Sequence, residues 1–433
     1  MAGSRLFLAP LVAVVVAVFA GYINFGSIYR TLHITGVLRK DECTIATEKL
    51  EAIHIQGTPH CEDLHHHVAS GLLFTACEGS VEARHSWFPP LTIFDDASKV
   101  VEAPGAITVI DPQSMKAKRL QFQGFSGPFV THGIDVIDDP AAAPGAAVFV
   151  FAVNHRPNAA QDPLAPKADS VIELFRHVIG TSTARHIRTI KHDLVQMPND
   201  ILALSPTSFL VTNDHFYREG AMRIIEDVYS GAVWSNTIYV EFENGAAKQH
   251  ETAGVQANVA LTGLHNNNGL GRGRTPEEVV LVSAASGEVY FGALERAAGQ
   301  VTIRIKETFQ ADSTLDNPFY LVDPYANDTF DASGFVLAGL SRGINLAQHS
   351  RLIDAPDGVM VWHLQDRSLR TAGDAESLWE ARLLLHDNAD YIRTASAAAL
   401  VPLDPAKNNG QRRAWLFVTG FLSKNMLAVN IGL

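Results

Sequence analysis

From residue 50 onward the apolar positions come in short β-branched or aromatic runs cut off by Gly, Pro, Asn or Asp, and a 3.6-residue period is scarce. Leu72 to Ala76, Ala147 to Val153, Val279 to Ser283 and Gly334 to Ala338 are examples. The pattern predicts an all-β body, with one helix suggested from Asp374 to Leu385. A recurring phrase precedes the strong runs: a polar cluster, an apolar step and a turn. Its clear copies are Cys61-Glu62-Asp63-Leu64, Thr131-His132-Gly133-Ile134, Pro198-Asn199-Asp200-Ile201, Asn267-Asn268-Gly269-Leu270 and Leu315-Asp316-Asn317-Pro318. A sixth, Thr394-Ala395-Ser396, replaces the polar residue by small ones and leads to Ala414 to Val418. From Asp63 the steps to His132, Asp200, Asn268, Asn317 and Ser396 are 69, 68, 68, 49 and 79 residues. Each step can hold a four-stranded unit of about 40–50 residues with its loops. Six units close a β-propeller and leave only short sheet edges. The alternative, a β-sandwich, does not repeat a polar cluster before alternate hairpins. Residues 40–433 are therefore expected to form one six-bladed β-propeller, its last blade completed by an N-terminal strand beside Trp415 to Val418.

Ahead of this body lies Leu6 to Phe25, twenty residues without a charge. At helical rise that length just crosses a hydrocarbon core, so residues 1–30 read as an N-terminal hydrophobic anchor helix. A cleaved signal peptide is the competing reading, with Val18-Phe19-Ala20 offering small residues for cleavage. Either way the body enters the secretory pathway, membrane-anchored or secreted, where paired cysteines persist. Of three cysteines, Cys61 and Cys77 flank one apparent hairpin and are expected to pair, leaving Cys43 free. Asn327-Asp328-Thr329 is a glycosylation sequon in a turn-like stretch. A formal charge of −12, with no basic block, excludes a nucleic-acid surface.

In a propeller the first strand of every blade lines the central channel, so the residues opening those strands converge at one end of the axis. Here they are Glu62, Asp63, His132, Asn199, Asp200, Asn268, Asp316 and Asn317, nearly all carboxylates and amides. Hard oxygen donors without thiol suit calcium, whereas zinc prefers His and Cys. Glu62 and Asp316, with the neutral oxygens of Asn199, Asn268 and Asn317, make one set. Asp63 and Asp200, with a backbone carbonyl such as that of Ile134, make a second. Adjacent side chains on extended backbone point opposite ways, so Glu62-Asp63 and Asn199-Asp200 can each serve an upper and a lower ion. Any one such cluster, taken alone, is as readily an ordinary turn or cap. The run His65-His66-His67 reads as a solvated turn, because alternation sends its middle ring away from the others. No Gly-x-Ser-x-Gly stretch marks a serine nucleophile.

Several longer phrases resemble the paraoxonase and arylesterase family, calcium-dependent lactonases on a six-bladed propeller, and among them the fungal relatives. They are Glu62-Asp63-Leu64, Pro128 to Ile134, Val153-Asn154-His155, Val171 to Phe175, Thr189 to His192, Asn199-Asp200-Ile201, Thr212 to His215 and Leu315-Asp316-Asn317. The resemblance implies that Glu62, Asn199, Asn268, Asp316 and Asn317 hold a catalytic calcium, and that Asp63, Ile134 and Asp200 hold a structural one. It further implies that His132 and His155 form a catalytic pair, with His132 the general base, acting on small hydrophobic esters or lactones. Asn268 is chosen over its neighbours because it directly precedes Gly269. The chain departs from the family in lacking a histidine in the fifth blade, where it reads Gly339-Leu340-Ser341-Arg342-Gly343, and from the family's animal members in having no cysteine among residues 427–433. Two other readings stand beside this one: a sugar-lactone hydrolase or strictosidine-synthase-like propeller, and a binding propeller that keeps calcium only for stability.

Overall fold

Apolar runs of five to eight residues joined by short turns can reach one another only as antiparallel hairpins. In the computed structural model, which describes residues 26, 28–39, 51–159, 165–243, 250–366 and 378–433, the hairpins assemble into six blades. From the axis outward, the first blade runs Cys61–His67, Leu72–Cys77, Ala106–Asp111, Lys116–Arg119. The second runs Thr131–Asp138, Ala147–Pro157, Ala168–Val178, Thr183–Ile190, with Gln121–Gln123 added in parallel at its rim. The third to fifth begin at Pro198–Ser205, Asn267–Arg272 and Pro318–Leu321. The sixth comprises Ala395–Pro402, Arg413–Gly420, Met426–Gly432 and, from the N-terminal side, Ala52–Ile55. The protein is a six-bladed β-propeller.

Each blade buries both faces against its neighbours. Phe74 and Ile107 meet Val148 and Phe175 between the first two blades. Phe151 and Leu174 meet Phe209 and Ile238 between the next two, and so on around the ring until Phe417 packs with Leu73 and Ile110. Every blade contributes a Phe that is at most 1% exposed: Phe74, Phe151, Phe209, Phe291, Phe335 and Phe417. Removing one of these rings costs about 3–5 kcal/mol, so the ring of inter-blade cores is what holds the axis residues in place.

Two expectations are corrected. The N-terminal strand does complete the last blade, but it pairs with Met426–Gly432, one strand outside Arg413–Gly420. The C-terminal strand takes the inner place because it follows Arg413–Gly420 by a tight turn, leaving only its outer edge open. The suggested helix from Asp374 to Leu385 is instead the rim strand Trp379–Asp387, laddered along Val359–Asp366. Hydrogen bonding to a ready edge overrides a helical pattern at a rim, where polar residues face water. Residues 374–377 and the proposed anchor Leu6 to Phe25 lie outside the described residues, as does Cys43. Among the described residues no helix is long and apolar enough to cross a membrane. A disulfide joins Cys61 to Cys77, which face each other across the first hairpin.

Candidate active site

Five of the six inner strands share one irregularity; in the fifth blade Pro318–Leu321 pairs without it, and Asp316-Asn317 directly precede that strand. Cys61 pairs with Cys77 and Leu64 with Thr75, so three steps on one strand match two on the other. The same slip separates Thr131 from Ile134, Pro198 from Ile201, Asn267 from Leu270 and Ala395 from Ala398. Each is a β-bulge, which bends a strand and re-aims its side chains. The bulged positions are Glu62-Asp63, His132-Gly133, Asn199-Asp200, Asn268-Gly269 and Ser396-Ala397. In these five blades the recurring polar phrase is the bulge itself. Glycine is required at two of them, because a Cβ on Gly133 would lie 2.4 Å from the Asn199 carbonyl, and one on Gly269 2.2 Å from that of Asp316.

Glu62, Asn199 and Asn317 are buried at 1%, 2% and 3% exposure, while Asp316 and Asn268 are partly open to a cavity of about 1080 Å³. Asn317 Nδ2 donates to Glu62 Oε1 at 3.1 Å, and Asn199 Nδ2 donates to Asp214 Oδ2 at 3.2 Å. Both amides therefore turn their oxygens the other way. Glu62 Oε2, Asn199 Oδ1, Asn268 Oδ1 and Asn317 Oδ1 are buried and accept no hydrogen bond. Burial, with Asp316 and Asp63 nearby, pushes Glu62 well above the usual carboxylate range, and burial with Asp63 and Asp214 does the same to Asp316. Oxygens with no donor and carboxylates crowded by like charge are what a hard divalent cation relieves. The residues present fit calcium at this upper position. Among the described residues no group of three or more His, Cys, Asp or Glu side chains gathers closely enough to hold a metal ion by itself, so an ion here would depend on the amide oxygens as well.

The lower set is arranged differently. Asp63 Oδ2 accepts the Ile134 amide at 2.9 Å and Oδ1 the Leu64 amide at 2.7 Å; Asp200 accepts Leu270 and Ile201 amides, each at 2.7 Å. Ile134 meets Asp63 through its N–H. Asp135, which sequence reasoning missed, continues the series by accepting the Ala203 amide at 2.6 Å and both terminal nitrogens of Arg272 at 2.7 Å. Asp63, Asp135 and Asp200 thus staple blades one to four in succession. Burial pushes Asp200 up, with Asp63 adding to it. Burial would raise Asp63 too, but the His65 ring and the two amides outweigh it and hold it below its ordinary value. His65 is not part of a solvated turn: it lies in Cys61–His67, 3.1 Å from Asp63 and 3.3 Å from Asp135. An inner strand lines the channel along its whole length, which the turn reading of the histidine run overlooked.

His132 and His155 come together. His132 Nδ1 is 3.0 Å from His155 Nε2, and His132 Nε2 faces Glu62 Oε1 at 3.9 Å. Burial lowers His132 to about 4, and burial with the neighbouring His132 ring takes His155 well below the normal histidine range. Both rings are neutral near pH 7. Phe88 meets His132 edge-on at 5.6 Å, and the guanidinium of Arg84 lies over the Phe88 ring, 3.8 Å from its centroid. Arg84, fully buried, also donates to the His60 and Thr131 carbonyls, two residues ahead of the bulge in blade one and one ahead of that in blade two. Sequence reasoning missed Arg84 and Phe88; Ala83 to Pro90 belongs to no repeat and carries no signal by type or spacing. Asp214 accepts from Asn199 and pairs with His215 at 3.1 Å, giving Asn213-Asp214-His215 a supporting place behind the upper oxygens.

A family model described as Arylesterase matches residues 101–258. Serum paraoxonase/arylesterase 2 of Gallus gallus is 29% identical over 231 residues, 52% of this chain and 56% of that protein. Serum paraoxonase/arylesterase 1 of Homo sapiens is 30% identical over 143 residues, 32% of this chain and 36% of that one. The chain spans about half the length of the first curated relatives it matches, 56% for the Gallus protein. A solved structure of a major allergen of Malassezia sympodialis overlays with a TM-score of 0.46 at 9% identity, covering 88% of this chain and 96% of that one. By its motifs and these matches the chain is similar to the paraoxonase/arylesterase family.

Proposed function

We propose that the protein hydrolyses carboxylic esters, aryl esters or lactones, in a calcium-dependent reaction at the end of the propeller axis. The observation that carries this reading is a buried His132 lining one cavity with Glu62, Asn199 and Asn268, each of which has a buried oxygen without a hydrogen-bond donor, as does Asn317 beside Glu62. Glu62, Asn199, Asn268, Asp316 and Asn317 would hold the ion; bound there, calcium supplies Lewis-acid polarisation of a carbonyl and charge for the oxyanion. His132 Nε2 would take the proton of the attacking water, and His155 holds the opposite edge of that ring. Asp214 anchors the Asn199 amide, so the oxygen of that amide stays aimed inward. A second, structural calcium between Asp63, Asp200 and the carbonyl of Ile134 is part of the same proposal.

The cavity wall favours hydrophobic substrates over sugar lactones, since Leu32, Phe88, Leu91, Leu315, Ile344 and Phe421 line it. The helix Ala221–Val228 is inside-out: Arg223 and Glu226 are buried, whereas Ile224 and Val228 are 64% and 65% exposed. Ile28, which lines the cavity, and its neighbour Tyr29 are 51% and 54% exposed. An apolar rim around the mouth, preceded by the uncharged span Leu6 to Phe25, supports membrane attachment in the secretory pathway with the mouth toward the lipid. Asn327, exposed in its turn, is proposed to carry a glycan. The test of the activity is a panel of phenyl esters and lactones assayed in calcium, in excess chelator, and after calcium is restored. Hydrolysis that vanishes and returns supports the proposal; rates indifferent to the chelator overturn it.

A further inference from the structure

The hydrogen-bond chain that begins at His132 does not end at His155. His132 Nδ1 lies 3.4 Å from the Pro198 carbonyl oxygen as well as 3.0 Å from His155 Nε2. A carbonyl oxygen only accepts, so Nδ1 of His132 carries the proton. His155 Nε2 then meets that N–H with its lone pair, and the proton of the neutral His155 ring sits on Nδ1. That nitrogen is 2.8 Å from Ser170 Oγ. The Pro198 carbonyl sets the direction at one end, weakly at 3.4 Å, and the Ser170 hydroxyl, which can accept, completes it at the other; its consequence is at the far edge of His132: Nε2, facing Glu62 and the cavity, is left with a free lone pair.

We propose that Ser170 is a positioning residue of this site, holding His155 in its Nδ1–H tautomer and thereby keeping His132 Nε2 free to accept a proton. The claim for catalysis rests on the hydrolase reading; the claim for the tautomer stands without it. Ser170 faces His155 directly in the ladder between Ala147–Pro157 and Ala168–Val178. The backbone of His155 is held apart from Ser170, because its carbonyl accepts from Trp87 Nε1 at 3.0 Å and its N–H donates to Val130. Losing one hydroxyl therefore leaves the frame standing. Without it the His155 Nδ1–H has no acceptor, and the ring gains by moving its proton to Nε2 and donating to His132. His132 must then carry its own proton on Nε2, where it cannot act as a base. Orienting partners of this kind set which ring nitrogen is protonated.

The test uses the full chain labelled with ¹⁵N-histidine, in wild-type, Ser170→Ala and Ser170→Thr forms. Ring nitrogen spectra of wild type should show His155 protonated at Nδ1 and bare at Nε2, and Ser170→Ala should exchange the two. On the best ester or lactone, Ser170→Ala should lower kcat about 10–100-fold, the usual cost of a lost orienting partner, with KM within about twofold, and Ser170→Thr, which keeps the hydroxyl, should recover most of kcat. A wild-type His155 protonated at Nε2, or a Ser170→Ala variant with unchanged ring spectra, overturns the proposal. Spectra that change as stated while kcat stays at the wild-type value refute the catalytic part. Should no ester or lactone be hydrolysed by any form, the spectra still decide the tautomer, and the failure belongs to the hydrolase reading.

Discussion

Asp200 and Asn268 occupy equivalent bulges one blade apart, yet their side-chain oxygens are in opposite states, and that difference predicts how each substitution behaves. Asp200 already accepts two buried amides, those of Ile201 and Leu270. Asp200→Ala strands both, at about 1–3 kcal/mol apiece. Relief of the like-charge crowding that raises Asp200 offsets part of this, so a net loss of about 2–3 kcal/mol is expected even in excess chelator. Asn268 Oδ1 accepts nothing, so Asn268→Ala frees no donor and should change stability in chelator by less than about 1 kcal/mol. In calcium the ranking of effects on activity reverses in kind. Asn268→Ala keeps a folded protein that loses hydrolysis and part of the stabilisation by bound ion, whereas Asp200→Ala loses both together. Urea unfolding followed by Trp fluorescence, with chelator and with calcium, measures each quantity. Equal losses of stability for the two variants in chelator would refute the division of the axis into an upper set whose oxygens wait for an ion and a lower set that staples the blades with or without one.

Three further outcomes follow from particular contacts. His60 is buried beside Arg84 and is pulled down to about 2, burial being the main cause; below pH 6.5 the unfolded chain takes up a proton that the folded one refuses. Stability is then full above that pH and falls by about 1.4 kcal/mol per unit below it, about 2 kcal/mol by pH 5. His60→Asn, which tolerates the φ of 48° at this position, should flatten that loss in urea titrations at pH 7 and 5, and an unchanged slope would count against it. Replacing Cys61 and Cys77 by Ala should cost about 3 kcal/mol, the usual value for a loop of this size, and peptide mass mapping that found both thiols free in the native protein would remove the basis for the prediction. Ile224→Asp with Val228→Asp should abolish binding of the described body to anionic vesicles in flotation while leaving its unfolding curve within about 0.5 kcal/mol; unaltered flotation would mean that this rim does not meet lipid.

Much of this was legible in the amino-acid pattern. The polar phrase reported the blade count because five of its six copies are bulges at the start of an inner strand, and the remaining one, Asp316-Asn317, directly precedes such a strand, where apolar rhythm must break for side chains to be re-aimed toward the axis. The upper oxygens were readable for the same reason, since each belongs to the phrase. Asp135 and His65 lie two or three residues further along the same strands, where alternation alone cannot tell a channel-facing side chain from a solvated one. Arg84 and Phe88 come from an insertion outside the repeat and meet His132 only through folding. The rim strand Trp379–Asp387 was misread as a helix because a strand exposed on one edge is held by its ladder more than by its own pattern. The place of Ala52–Ile55 in the last blade was half legible: the need to close the ring was plain, but which edge was open depended on the C-terminal hairpin.

The central claim, that a calcium-loaded site uses His132 as its base, is tested most directly by His132→Gln. Glutamine preserves approximate size and polarity while removing the titratable nitrogen, and His132 is not among the oxygens assigned to the ion. Turnover of the best aryl ester or lactone should fall about 10²–10⁴-fold, with calcium affinity by equilibrium titration unchanged within about twofold. Full activity in His132→Gln, or activity lost only in proportion to lost calcium, would contradict the account.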